Sequence, residues 1–134
     1  MRVSPILPGK TIGILGGGQL ERMTAMAARE LGYRIRVLDP DPDCAARYLV
    51  EQHVEASFDE VQAAASLAKR VDVMTLEIEK IAPEVLETVD AIVPMRPGAA
   101  ALRTVQDRAL QKQFYLDHGL PVGRFAVIAS EAEL

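Results

Sequence analysis

The run Thr11-Ile12-Gly13-Ile14-Leu15 ends directly on Gly16-Gly17-Gly18, with Gln19-Leu20 next. That junction limits the folds open to the chain more than any other feature. A short apolar run bounded by glycines reads as a buried strand. Apolar residues at Leu20, Met23, Ala27 and Leu31 then recur along one face of a helix predicted over 19–31, and Gly32 is a natural stop. Arg34-Ile35-Arg36-Val37-Leu38 reads as a second strand, broken by Asp39-Pro40-Asp41-Pro42-Asp43. Strand, helix, strand in this order is the unit of a parallel sheet.

The pattern continues along the chain. His53-Val54-Glu55-Ala56 is a weaker third strand, Asp59 is placed to cap a helix over 60–70, and Val71 to Leu76 forms a fourth strand. Pro83 opens a short helix to about Val89, and Ala91-Ile92-Val93-Pro94 reads as a fifth strand. Pro97-Gly98 precedes a helix to Val105, and Asp107 caps another through Leu116, ended by Gly119 and Pro121. Arg124-Phe125-Ala126-Val127-Ile128 looks like one more strand, and Ser130-Glu131-Ala132-Glu133-Leu134 like the opening turn of a further helix. The predicted fold class is α/β, a doubly wound and mostly parallel sheet with helices on both faces.

Composition narrows the function. The 134 residues fit one domain, and with 4% aromatics and no Trp its core must be aliphatic. A net charge of −4 with no basic tract argues against nucleic acid as a partner. The single Cys44 has no CxxC neighbour, and His53 and His118 lie far apart, so no metal site is expected and Cys44 reads as a semi-buried loop thiol. Residues 1–10 lack the apolar stretch of a signal peptide, and no run approaches the roughly 20 residues of a membrane span. The expected location is the cytoplasm, with no membrane partner.

The glycine turn carries the clearest chemistry. Without β-carbons the backbone turns tightly and its amides can approach an oxyanion, while the following helix adds its positive end. A tight turn without any ligand is the plain alternative. A dinucleotide fingerprint wants glycine at positions 16, 18 and 21, and position 21 is Glu21, although Asp39 sits where a ribose-binding acid would. Glu77 and Glu79 follow the fourth strand, and alternation puts both on one side at the same sheet edge. They can hold donors on a ribose or an amine, or be solvated loop acids. Arg96 follows the fifth strand at that edge, and Arg108 lies in a first helical turn, where a cation gains nothing from the dipole.

Taken together, Ile14-Leu15-Gly16-Gly17-Gly18-Gln19-Leu20, Arg22-Met23, Glu30-Leu31-Gly32-Tyr33 and Leu38-Asp39-Pro40 resemble the N5-carboxyaminoimidazole ribonucleotide synthetase family of purine biosynthesis. Thr75-Leu76-Glu77-Ile78-Glu79, Pro94-Met95-Arg96-Pro97 and Gln106-Asp107-Arg108 continue the likeness in the family's order, over nearly the whole chain. The family belongs to the ATP-grasp ligases, which carboxylate 5-aminoimidazole ribonucleotide with ATP and bicarbonate through carboxyphosphate, need magnesium and are typically homodimers.

The resemblance covers only the first, Rossmann-like domain, which precedes the ATP-grasp module. It implies a single domain over 1–134, with 122–134 leading into a module absent here, no catalytic residue in the chain and no turnover alone. It implies that Gly17, Gly18, Gln19 and Leu20 approach the ribonucleotide phosphate, that Glu77 and Glu79, with Arg96 beside them, belong to the substrate pocket, and that Arg108 reaches toward ATP. ATP and magnesium would serve the full-length ligase, and none is expected on this domain alone. Two departures stand out: Glu21 where the family has glycine, and Glu77-Ile78-Glu79-Lys80 where it has Glu-Phe-Glu-Asn. Pointing inward, Glu21 weakens phosphate binding; pointing to solvent, it stabilises the helix N-terminus. The second reading these departures leave open is an altered or redesigned scaffold that self-associates or binds a partner without ligand.

Overall fold

The structure, a computed structural model, describes residues 5–128, Ser130 and Glu131. Strand β1 (Thr11–Leu15) has neighbours on both sides, with β2 (Arg34–Asp39) and β3 (Gln52–Glu55) on one and β4 (Val73–Leu76) and β5 (Met95–Arg96) on the other. The order is β3-β2-β1-β4-β5 and every pairing is parallel. Leu15 pairs with Leu38 and with Leu76, so the three central strands end level with one another. A central parallel strand is covered on both faces, which is why β1 is apolar without alternation and Ile14 and Leu15 are both fully buried.

Right-handed crossovers put α1 (Gln19–Glu30) on one face and α2 (Val61–Ala68) and α3 (Pro83–Ile92) on the other. Under α1, Ile14, Ile35 and Val37 pack with Ala25, Ala28, Cys44 and Ala46. Burying each large side chain stabilises by about 1.5–3 kcal/mol relative to exposure. On the opposite face α2 packs against α3 and β2. The expected α/β class with a doubly wound parallel sheet is therefore what forms.

Several local expectations change. The face that α1 buries is Glu21, Ala25 and Ala28, while Leu20, Met23, Ala27 and Leu31 are exposed. The helix starts immediately beyond the glycine turn and so lies close to the sheet, where an alanine row fits and a leucine row does not. Ala91 to Pro94 is not a strand: α3 continues to Ile92 and the strand is Met95–Arg96, in register with Met74 and Thr75. A β-branched pair suits either state, and the inward row Val85, Leu86, Val89 carries the helix onward. Asp59 does not cap α2; Glu60 holds the N-cap position and makes no side-chain cap bond. The fourth strand begins at Val73 rather than Val71, because Asp72 turns back to accept a hydrogen bond from the Thr11 amide at 2.9 Å.

The first compact unit runs to Ala99 and the second begins at Ala100. In the second, most of α4 (Ala99–Gln106) precedes α5 (Arg108–Asp117). Asp107 caps α5 as expected, accepting from the Ala109 and Leu110 amides at 2.8 and 3.1 Å. Arg124 to Ile128 is not a strand and no described strand pairs with it, so its apolar alternation has no ladder to join. The helical opening expected from Ser130 falls mostly on residues 132–134, outside the described residues. No described helix is long and apolar enough to cross a membrane.

Candidate functional site

The chain leaves β1 toward β2 on one side and later returns to β4 on the other. The carboxyl ends of β1 and β4 therefore flank the topological switch point, where open α/β sheets bind ligands. The glycine turn follows β1 there, Glu77 follows β4, and Asp39 ends β2. Arg96 also lies toward this edge, although it stands within β5 opposite Thr75 and not after the strand as expected. The residues that sequence reasoning selected in the first unit thus share one edge.

The turn is tightly specified. Gly16 has φ +112°, a region that residues with a β-carbon rarely adopt, and its amide donates to the Leu38 carbonyl at 2.8 Å. Gly17 is enclosed: its amide donates to Asp39 Oδ2 at 2.7 Å and its carbonyl accepts from the Ala46 amide at 2.9 Å. A β-carbon there would lie 2.6 Å from Cys44 Sγ. The Gly17 amide is consequently committed to Asp39, whose other oxygen accepts from the Asp41 amide at 2.8 Å. Gly18, Gln19 and Leu20 are exposed, and the first backbone bond of α1 runs from Arg22 to Gly18. The amides of the first helical turn have no partner inside the helix and lie at its positive end.

Glu21 points inward. It is 3% exposed, its Oε1 would lie 2.9 Å from a β-carbon at position 16 and its Oε2 3.1 Å from one at position 18. The carboxylate fills the space that the glycines leave, and Oε1 has no hydrogen-bond partner among the described residues. A buried acceptor left unmade costs about 1–3 kcal/mol. This is the orientation in which Glu21 opposes an incoming anion.

Glu77 and Glu79 are exposed and line one hollow of about 510 Å³ with Phe58, Ile78 and Lys80. Lys80, the other departure from the family pattern, so places a cation beside the two acids. The Arg96 Nη1 donates to the Met95 carbonyl at 2.6 Å, and Arg108, in the second unit, donates to Gln111 Oε1 at 2.6 Å. Burial, then the charge of Asp39, pushes the Cys44 thiol above its ordinary value, which makes it a packing group under Gly17 and a poor nucleophile. Its Sγ lies 3.8 Å from His53 Nε2, a contact that no spacing along the chain foretells. No three His, Cys, Asp or Glu side chains converge to hold a metal ion among the described residues.

The family model described as the ribonucleotide synthetase preATP-grasp domain matches residues 9–106. The chain is 37% identical over 134 residues to the N5-carboxyaminoimidazole ribonucleotide synthase of Staphylococcus epidermidis, covering all of this chain and 36% of that protein. The crystal structure of N5-carboxyaminoimidazole synthetase from Staphylococcus aureus superposes with a TM-score of 0.91 at 33% identity, over 99% of this chain and 36% of that one. The N5-carboxyaminoimidazole synthase of Aspergillus clavatus, in complex with ADP and 5-aminoimidazole ribonucleotide, matches with a TM-score of 0.79 at 37% identity, over 86% of this chain and 31% of that one. The chain belongs to the ribonucleotide synthetase pre-ATP-grasp family. It spans about a third of the length of these relatives, the Staphylococcus and Aspergillus proteins being synthases of N5-carboxyaminoimidazole ribonucleotide by their names.

Proposed function

We propose that the chain is the substrate-side domain of a ligase that carboxylates 5-aminoimidazole ribonucleotide with ATP and bicarbonate, in purine biosynthesis. The observation that carries this reading is that the exposed residues Gly18, Gln19 and Leu20, at the positive end of α1, and the acids Glu77 and Glu79 follow the paired ends of β1 and β4. In it the amides of Gly18, Gln19 and Leu20 receive the ribonucleotide phosphate, with Gly17 holding the turn in shape through Asp39. Glu77 and Glu79 accept from ribose hydroxyls or the amine, Arg96 adds a cation at the same edge, and Arg108 serves ATP. ATP and magnesium belong to the whole ligase, which is cytoplasmic and homo-oligomeric and engages neither nucleic acid nor membrane. The domain alone does not turn over: mixed with ATP, bicarbonate and the ribonucleotide it releases no ADP, and measurable release would remove that claim.

Glu21 sets the strength of binding. Like charges a few ångströms apart oppose one another by on the order of 1–4 kcal/mol. Calorimetric titration with 5-aminoimidazole ribonucleotide is therefore expected to show weak binding by the chain and binding tighter by roughly tenfold or more in Glu21→Gly. The buried carboxylate in the cradle also favours a second reading, an altered scaffold that self-associates or binds a partner without ligand. Absence of binding by both forms would support that reading and sink the first.

A further inference from the structure

The sheet edge opposite the glycine turn carries a hollow that the proposed reaction does not use. Its volume is about 650 Å³, and Thr11, Arg34 and Asp72 in its lining mark the beginnings of β1, β2 and β4. Five cations line it: Lys10 before β1, Arg34 and Arg36 on β2, and Lys69 and Arg70 behind α2. Asp72 is the one acid in the lining, in a chain whose net charge is −4. A strand of five residues is roughly 16 Å long, so this hollow is separate from the glycine turn.

The acid is already committed. Asp72 Oδ2 accepts from the Thr11 amide at 2.9 Å and Oδ1 lies 3.2 Å from Lys10 Nζ. Arg34 donates to the Gly9 carbonyl at 2.9 Å and Arg70 to Ser66 Oγ at 3.2 Å. The side chains of Arg36 and Lys69 have no hydrogen-bond or ion-pair partner among the described residues. Strand alternation puts Arg36 on the face of Arg34, away from Ile35 and Val37 in the core under α1, and Arg36 is half-buried. A partly desolvated guanidinium without a counter-ion is unfavourable, and its planar fork matches phosphate oxygens.

We propose that this hollow is a second anion site, taking a small molecule with two linked phosphoryl groups, with Arg36 and Lys69 as its principal ligands. Two phosphoryl groups bring a charge of roughly −3, close to the surplus of cations over Asp72. The hollow is within the ordinary range for small ligands, about 300–1,000 Å³, whereas an extended acidic chain needs a groove. The inference stands on the amino edge of the sheet and does not depend on the reading of the glycine turn.

The test uses the 134-residue chain with inorganic pyrophosphate as probe, followed by calorimetry and by amide NMR shifts. One-site binding is expected, at least tenfold tighter than for orthophosphate, with shifts centred on Arg36, Lys69 and Asp72. Arg36→Gln with Lys69→Gln should weaken it at least tenfold while the thermal melt stays cooperative, and Arg36→Lys with Lys69→Arg should recover part of the affinity. Shifts centred on Gly18 to Leu20, no saturable binding at millimolar pyrophosphate, indifference to the double substitution, or tighter binding of an oligonucleotide or an acidic peptide would each overturn the proposal.

Discussion

Gly17 shows how much one missing methyl group decides. It is pressed against Cys44, bonded to Asp39 through its amide and to Ala46 through its carbonyl. Gly17→Ala should destabilise the fold by about 1–3 kcal/mol, because the added carbon has no space beside Cys44 Sγ. Thermal unfolding of the single variant and of Gly17→Ala in a Cys44→Ala background checks this; the second substitution should recover part of the loss, and equal losses in both backgrounds would place the strain elsewhere. The commitment of the Gly17 amide to Asp39 was not legible from the spacing of the two residues, although the spacing had already marked Asp39 as an acid near the turn. The inward turn of Glu21 was equally hidden, since an acid in the first turn serves a helix start as well as it fills a cradle.

At the scale of elements, most strands and helices were legible and their faces were not. β1, β2 and the capping of α5 by Asp107 follow from apolar runs and local hydrogen bonding. The buried face of α1 does not, because four exposed apolar positions outnumber the alanines that actually meet the sheet. Arg124 to Ile128 has strand composition but lacks a partner ladder, which composition cannot supply. The start of β4 depends on Asp72, whose carboxyl is held below its ordinary value chiefly by the Thr11 amide and also by Lys10. A depressed carboxyl stabilises the fold above its unfolded value near 3.9 and loses that contribution as pH falls through the lower folded value. Asp72→Asn should therefore be less stable than the parent at neutral pH, by about 0.5–1 kcal/mol, with the gap closing below about pH 4 in urea titrations. A gap that persists unchanged at pH 3 would show that the charge is not its source.

For the whole molecule, the consequence of α1's orientation is an exposed apolar row of Leu20, Met23, Met26 and Leu31. Rows of this kind favour association when they join into a patch. The proposed homo-oligomer predicts sedimentation that rises with concentration and that Met23→Glu shifts toward the monomer; a monomer at every concentration would remove it. Two sheet edges now carry distinct chemistry, with the glycine turn and its acids at the carboxyl ends and the five cations at the amino ends. Those cations come from three separate stretches, so a scan for a basic tract passes over them.

What the amino-acid order determined alone was the alternation of strand and helix, the parallel doubly wound class it implies and the glycine turn after the first strand. The elements depend on interactions within a few residues, which periodicity records, and their alternating order limits the connections to a parallel sheet. Only the tertiary structure decided that Glu21 fills the cradle, that Asp39 holds Gly17, and that Arg36 stands beside Lys69 and Arg70. Each of these joins residues from different elements, and the distance between them is set by how closely α1 and α2 pack on the sheet.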